Sequence, residues 1–470
     1  MSLSDGIDII GFEYGWTIRI LDSKLGRSNM RKKSKKMNRR QFLKQLSVAA
    51  AGAAGFPHIV PAFALGKSGA VAPSNRIVMA GIGFGMMGIP NMNSFLEKNE
   101  VQWVAVCDVD ENHLNAARNI VNQKYGNKNC AVYKDFRELC QRTDIDAVSI
   151  ALPDHWHAIS VIECARAGFD IYGEKPLSHS LLEGRAMCEA IKRYNRVWQT
   201  GSWQRSVANF HHACQLVRNG RIGKILNVEV GLPSGHYDFA GTAGQEAIVL
   251  PPSTLDYDFW IGPAPYSAYC PAKVHRNWRW VMDFGGGQLM DWIGHHLDIA
   301  HWGLGFDDTG PVEIQGWGEF PTRGVWNSPT RYRLTAKYAD GTPMTIAGGF
   351  PDILGGTKWI GENGWIWVNR GGLEAHPAEI LNEHIGPNET RLFKSRDHYQ
   401  NFLDCVKSRK LTITPIEVAH RSASVGHLGV IAIELGRKIR WDPRTETILD
   451  DPEATRLLGR SYRGPWQLGL

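Results

Sequence analysis

Paired cysteines, long apolar runs and a basic surplus are all missing from the body of this 470-residue chain. Eight cysteines lie scattered at 107, 130, 140, 164, 188, 214, 270 and 405, and no Cys-x-x-Cys occurs among them. The spacing therefore offers neither a zinc knuckle nor a thioredoxin-like site, and the thiols read as small buried apolar groups. Beyond residue 64 there is no stretch of 18 uncharged apolar residues, so no transmembrane helix is expected there. The net charge of +6 belongs to the N-terminus. Residues 1–64 hold 11 Lys/Arg and 4 Asp/Glu, and taking these from 53 and 47 leaves 42 and 43. A body near −1 has nothing to offer a phosphate backbone, which argues against a nucleic-acid partner.

The N-terminus reads as a leader over residues 1–64. Arg31 to Lys36 is basic, and Asn38-Arg39-Arg40-Gln41-Phe42-Leu43-Lys44 has a twin-arginine pattern. Leu46 to Phe56 is weakly apolar, and Ala62-Phe63-Ala64 offers a small-x-small cleavage site. Met30 or Met37 is an alternative start. Export to the periplasm follows as an expectation, with a basic N-terminal arm as the competing reading. The twin-arginine route carries proteins already folded, so disulfides are not needed for folding.

Residues 74–200 read as a dinucleotide-binding domain. Arg76 to Ile82 is an apolar strand that runs into Gly83-Phe84-Gly85-Met86-Met87-Gly88 and then a helix through Leu96. This is G-x-G-x-x-G in its required context of strand, then helix. The first glycine permits the turn, the second lets backbone approach a pyrophosphate, and the third lets helix pack on strand. The helix N-terminus presents free N–H groups to the phosphates. Val101 to Asp108 is a second strand ending in a carboxylate 25 residues after Gly83. That is the place of a group accepting from a ribose diol, and it favours NAD over NADP; a helix N-cap is the other reading of Asp108. Strands then alternate with helices to Thr200, the pattern of a parallel doubly wound sheet.

Two loops at strand ends carry candidates. Leu152-Pro153-Asp154-His155-Trp156-His157 precedes a helix expected from Ile159 to Ala167, and its histidines either cap that helix or line a cofactor cleft. Phe169 to Tyr172 ends in Gly173-Glu174-Lys175-Pro176, which delivers a lysine to the carboxyl end of a strand, where ligands bind in open α/β sheets.

The second domain is expected over 201–470. Residues 231–280 read as a long binding loop. Then comes Gly285-Gly286-Gly287-Gln288-Leu289-Met290-Asp291-Trp292-Ile293-Gly294-His295-His296-Leu297-Asp298, on through His301. On a regular helix Asp291 and His295 share a face at i,i+4, and a carboxylate there can orient an imidazole as general base. A structural Asp–His pair and a metal site are the rivals. His295 and His301 are six apart and fall on different faces, so no metal is expected. From Val312 onward, alternating segments such as Arg331 to Tyr338 predict an antiparallel sheet with one wet face. Helices are expected at His398–Ser408 and Glu417–Lys438, followed by an irregular tail. Six tryptophans lie between 203 and 302. Indole stacks on the C–H faces of sugars. Trp278, Trp280 and Trp292 are candidate walls, with Arg205, His275 and Arg276 as hydroxyl or anion contacts.

The glycine loop with Asp108, Leu152-Pro153 with His157, Glu174-Lys175-Pro176, and Asp291 with His295 together resemble the Gfo/Idh/MocA oxidoreductases over residues 75–470. The resemblance implies a Rossmann domain plus a C-terminal α+β domain with an open, largely antiparallel sheet. It implies NAD (or NADP) held by residues 83–88, Asp108, Pro153, His157, Glu174 and Lys175. By the same resemblance His295 takes a hydroxyl proton, Lys175 stabilises the alkoxide and Asp291 positions the hydroxyl. A sugar, glycoside or polyol substrate and a homo-oligomer are implied. Free nicotinamide cofactor is scarce outside the cytoplasm, so an exported member needs cofactor that is held and recycled. An NAD-dependent glycosidase working by transient oxidation and elimination, and a non-catalytic sugar-binding protein, are the alternatives.

Overall fold

The computed structural model describes Ala72 and residues 75–469. The leader and its twin-arginine pattern lie outside them.

Six strands form the first sheet: β1 (Ile77–Ile82), β2 (Val101–Cys107), β3 (Ala131–Tyr133), β4 (Ala147–Ile150), β5 (Asp170–Gly173) and β6 (Trp198–Thr200). All neighbours are parallel, in the order β3-β2-β1-β4-β5-β6. The central strands are apolar almost throughout, as a sheet covered by helices on both faces requires. The chain reverses direction across the sheet between β1 and β4, and the crevice beyond their carboxyl ends is where such folds bind ligands.

Local signals fix the flanking helices. Asp110 accepts from the Asn112 N–H at the start of Glu111–Tyr125, and Gly126 ends that helix at φ 64°. Ser180 and Glu183 close a capping box at the start of Leu181–Arg193.

The second sheet has nine strands, in the order β13-β12-β11-β7-β10-β9-β8-β14-β15. They are β7 (Ile225–Leu232), β8 (Glu313–Glu319), β9 (Arg331–Lys337), β10 (Pro343–Gly348), β11 (Gly356–Gly361), β12 (Gly364–Val368), β13 (Leu373–His376), β14 (Ile439–Asp442) and β15 (Thr447–Ile448). Pairing is antiparallel except between β7 and β10. In β9 the burial alternates strictly, with Tyr332, Leu334 and Ala336 inside. The 20-residue helix Ile416–Leu435 lies against β8, where Ile433 occupies the space left by Gly316 and Gly318.

Two expectations are corrected, the start of one helix and the irregular tail. The helix after β4 starts at Asp154, five residues before the predicted Ile159. Pro153 presets the entry, and the turn thought to precede the helix is its first turn. Beyond β7 the long loop expected to residue 280 is present, with no strand and only short helical turns at Tyr257–Ile261, Pro271–Lys273 and Asn277–Trp280; from Leu255 onward Tyr257, Trp260, Ile261, Tyr269, Val274 and Trp278 pack with Phe284 into an apolar cluster of their own. The tail contributes β14, β15 and a short helix at Pro452–Arg456. All eight cysteines are free. No helix among the described residues is long and apolar enough to cross a membrane.

Candidate functional site

A cavity of about 550 Å³ lies along the carboxyl ends of β1, β2, β4 and β5. Its floor includes Gly83, Phe84, Gly85, Met86 and Met87 from the glycine loop, Asp108 after β2, Pro153 after β4, and Glu174 and Lys175 after β5. Gly83 has φ +85°, and a Cβ there would stand 2.5 Å from the Ala151 carbonyl oxygen. At Gly88 a Cβ would stand 2.0 Å from the Gly83 carbonyl oxygen, so the third glycine closes helix onto strand. A Cβ at Gly85 would meet nothing within 4 Å. Open space over bare backbone is the cradle a pyrophosphate needs.

Asp108 has two tasks. One carboxylate oxygen accepts the Phe84 N–H at 2.7 Å and the other the Asp110 N–H at 2.9 Å, which ties the glycine loop to β2. Burial pushes its carboxyl above the usual carboxylate range, against the pull of His113. Facing it is the ordered segment after β7. Glu111 N–H donates to the Thr254 carbonyl at 2.9 Å, and Asp256 N–H to the Val109 carbonyl at 3.1 Å. His155 and the Trp156 indole N–H both meet the Trp260 carbonyl, at 3.0 and 2.9 Å. Leu255, Phe259, Trp260, His275, Arg276, Trp278 and Arg279 thereby wall the cavity opposite the sheet.

At the β5 end Lys175 Nζ donates to the Asp291 carboxylate at 2.9 Å and to the Asp291 carbonyl at 2.8 Å. Arg279 Nε donates to the same carboxylate oxygen at 3.1 Å. Burial opposes the charge on Asp291, but Lys175 and Arg279 outweigh it and hold the carboxyl at about 2. Glu174 lies behind the lysine. It accepts from Asn91 at 2.9 Å, and burial raises its carboxyl.

The Asp291–His295 pair expected from i,i+4 spacing does not form. The helix Gly287–Trp292 gives way to a π-helical turn at Ile293–Leu297 before Asp298–Leu304 resumes. A widened turn breaks the i,i+4 register, and the Asp291 carboxylate goes to Lys175 and Arg279 instead. His295 still lies within the influence of the lysine's charge. Gly294 sits against Lys175, whose Cβ is 3.2 Å from where a Gly294 Cβ would stand. Its Nδ1 is enclosed without a partner. Burial, then Lys175, Arg370 and His296, hold the imidazole well below the usual histidine range, so it is neutral. Its ring lies 5.4 Å from Trp292 and 6.4 Å from Trp203.

Several sequence candidates have other work. Arg205 is 2% exposed, and Asp298 and Asp307 saturate its guanidinium at 2.7 to 3.0 Å, so it cannot meet a substrate. Trp280 is fully buried, donates to the Tyr237 carbonyl and stacks on His236 and Phe239. His157 lies behind the cavity, bridging the Leu152 carbonyl to those of Pro176 and Leu177; it braces the two loops. His275 lines the cavity near Asp110, 3.9 Å from its carboxylate, and Arg276 lines it with its carbonyl accepting from Arg279 at 3.1 Å. Trp278 does face the cavity and carries the Arg279 guanidinium 4.5 Å over its ring. His296 and His301 do not assemble a metal set; they meet Gln204 at 3.3 Å and the Tyr338 hydroxyl at 2.6 Å. Asp110, His113 and His275 do bring three ligand atoms within 4.8 Å of one another, beside Asp108.

Three residues escaped the sequence reading. Arg279 and Arg370 reach the site from the ordered segment and from the β12–β13 turn. Asp154 is 3% exposed with Oδ1 unpartnered, and its carboxyl is raised well above the usual range by burial, against Arg279. An acid between the proline and the histidines at a strand's carboxyl end was the available signal.

Comparison with known proteins agrees with this geometry. Residues 76–202 match the family model described as oxidoreductase family, NAD-binding Rossmann fold. Residues 207–468 match that of the same family's C-terminal alpha/beta domain. An alpha-N-acetylgalactosaminidase of Shewanella oneidensis is 29% identical over 213 residues, covering 41% of this chain and 45% of that protein. A myo-inositol 2-dehydrogenase of Thermotoga maritima is 32% identical over 143 residues, covering 30% and 41%. The matches thus span less than half the length of either relative. In fold, the chain is similar to an aldose-aldose oxidoreductase from Caulobacter crescentus complexed with glycerol, with TM-score 0.57 and 17% identity over 78% of this chain and 99% of the other. With both halves matched in sequence, and the glycine cradle and the cross-domain lysine in place, the chain belongs to the Gfo/Idh/MocA oxidoreductase family.

Proposed function

We propose that this chain is an oxidoreductase moving hydride between NAD and a hydroxyl-bearing carbon of a sugar, glycoside or polyol, with the cofactor held and recycled in place. The observation that carries this is the end of the dinucleotide cavity, where Lys175 pairs with Asp291 and a neutral His295 stands alongside. The residues fit the cofactor. The space over Gly85 suits its pyrophosphate and Asp108 its ribose diol. When bound, NAD accepts hydride from the carbon that bears the hydroxyl.

The chain's own groups do the rest. A neutral imidazole can take the hydroxyl proton, so His295 is the base. Lys175 Nζ donates to the same oxygen as negative charge grows on it. Asp291 holds the ammonium in position and, with Arg279, fixes the floor under the substrate. On reduction the proton returns from His295 to the oxygen. The segment hydrogen-bonded across the cavity at Thr254, Asp256 and Trp260 supports retention of the cofactor between turnovers.

The test is to purify the protein without added cofactor and add a panel of sugars and glycosides. A reduced-nicotinamide band that appears with one compound and reverses with a second is the expected result. Absence of bound nucleotide would defeat the recycling argument. The similarity to the Shewanella glycosidase favours a second reading, transient oxidation with elimination. Aglycone release without net change in absorbance would put it first.

Export by the twin-arginine route is part of the same proposal, since it is what makes recycling necessary. The N-terminal mass of the mature protein tests it. A homo-oligomer is proposed from Trp317 and Leu226, which are 52% and 51% exposed on the large sheet; sedimentation reads the assembly.

A further inference from the structure

Arg370 stands in the turn between β12 and β13 with its guanidinium clamped between two indoles. Its central carbon lies 4.6 Å from the Trp203 ring centroid and 4.5 Å from that of Trp292. The same two indoles flank His295. Nε of Arg370 donates to the Gln204 side chain at 3.3 Å. Among the described residues no carboxylate forms an ion pair with it.

Its neighbours differ in this respect. Arg205 stacks over Trp302 at 5.2 Å, but both of its edges are closed by Asp298 and Asp307. Arg279 stacks over Trp278 and is bonded to Asp291. Arg370 has the same stacked, preorganised fork, and that fork is open. Charge balance points the same way. Lys175, Arg279 and Arg370 are three cations around Asp291, and Lys175 and Arg279 already share its carboxylate. Glu174 lies behind Lys175 and accepts from Asn91, and burial raises the Asp154 carboxyl well above the usual range, so neither is paired with Arg370.

The geometry points to a substrate that carries a carboxylate, a sugar acid such as a uronate or an aldonate, with Arg370 gripping the carboxylate edge-on while the reacting hydroxyl lies at His295 and Lys175. A guanidinium fork offers two parallel N–H donors, which match the two coplanar oxygens of a carboxylate. A phosphate would bring a third oxygen and a second negative charge, and among the described residues no second Lys or Arg stacks on Trp203 or Trp292 to meet them. The inference rests on the oxidoreductase reading for the position of the reacting carbon; the recognition of the acid stands on Arg370 and its surroundings.

The experiment uses the full chain and a set of aldoses and polyols, each paired with the uronic or aldonic acid of the same stereochemistry, together with the matching sugar phosphates. Binding is read by tryptophan fluorescence, since Trp203 and Trp292 border the site, and turnover by nicotinamide absorbance. At least one acid should bind ~10-fold or more tighter than its neutral partner, the scale of a charge-assisted hydrogen-bonded pair. Arg370→Gln should weaken the acid ~10-fold or more beyond any change in the neutral sugar, erasing the preference, and Arg370→Lys should restore part of it. An equal thermal midpoint in both variants separates this from unfolding. Equal binding of acid and neutral sugar in the wild type, a preference that survives Arg370→Gln, or stronger binding of the phosphate would each overturn the inference. So would failure of every acid to bind. Acid-selective binding without any nicotinamide response would sink the oxidoreductase reading and leave the Arg370 assignment standing.

Discussion

Lys175 and Asp291 meet at 2.9 Å although 116 residues separate them, one at the end of β5 and the other on the helix Gly287–Trp292. The contact joins the parallel sheet to the second half of the chain at the site where the chemistry is proposed. Lys175→Met removes the donor to the developing alkoxide, and kcat should fall by ~10²–10³, the usual loss for one such donor. Bound nucleotide, read by absorbance after denaturation, should remain. A loss of nucleotide with no change in kcat per loaded enzyme would move Lys175 out of the chemical step.

The same pair makes a stability prediction. Asp291 has a folded value of about 2 against a reference of 3.8. Its depressed carboxyl therefore contributes stability that is complete above about 3.8 and lost as pH falls through about 2. Lys175→Met removes part of that depression. The advantage of wild type over the variant in urea midpoint should narrow as pH is lowered across this window. A constant difference would place the stabilisation elsewhere.

His295 sets the acid limb of the rate. A base must be unprotonated to act, and burial with three neighbouring cationic or imidazole groups lowers this imidazole. The limb in kcat should therefore lie below the ordinary histidine value of about 6.5. Removing the Arg370 charge eases protonation, so Arg370→Gln should move the limb upward. A limb that stays in place would mean another group titrates in it.

The two outer glycines of the loop and the middle one should fail differently. Gly83→Ala forces a side chain onto φ +85° and into Ala151, and Gly88→Ala forces one into the Gly83 carbonyl. Both should destabilise the fold, as seen in the thermal midpoint. Gly85→Ala meets no protein atom within 4 Å. It should fold normally and lose NAD affinity by ~10-fold or more, because it fills the space the pyrophosphate needs. A destabilised Gly85→Ala protein would refute the assignment of that space.

What could be read in advance was local. The strand, glycine loop and helix are contiguous, and each glycine's task follows from backbone sterics. Lys175 was legible because Pro176 and the strand before it fix its place. The antiparallel sheet was legible from alternation in segments such as Arg331–Lys337. The rest depends on contacts that spacing does not encode. The π-helical turn at Ile293–Leu297 has no periodic signature, so the spacing pairs Asp291 with His295 whereas the Asp291 carboxylate goes to Lys175 and Arg279. The helix Asp154–Ala167 is buried on nearly every side, so its first turn lacked an amphipathic pattern to announce it. Arg370 and Arg279 enter from segments far along the chain, and their indole partners became visible only once the chain was folded.

Arg205 illustrates how an arginine near a site can be structural, and it offers a contrast with Arg370. Its guanidinium is fully buried, with Asp298 at 2.7 and 2.8 Å and Asp307 at 2.7 and 3.0 Å, partners 93 and 102 residues away. Removing one member of such a group leaves buried charge without its counter-charge. Arg205→Met should therefore cost ~3–5 kcal/mol, read as a lower urea midpoint. The fraction that remains folded should keep its KM for the sugar, because no substrate atom touches this side chain. Arg370→Gln should give the reverse, an unchanged midpoint with weakened binding of the acid. If Arg205→Met instead raised KM at full stability, the ion-paired guanidinium would have to open during turnover, and the division of labour between the two arginines would be wrong.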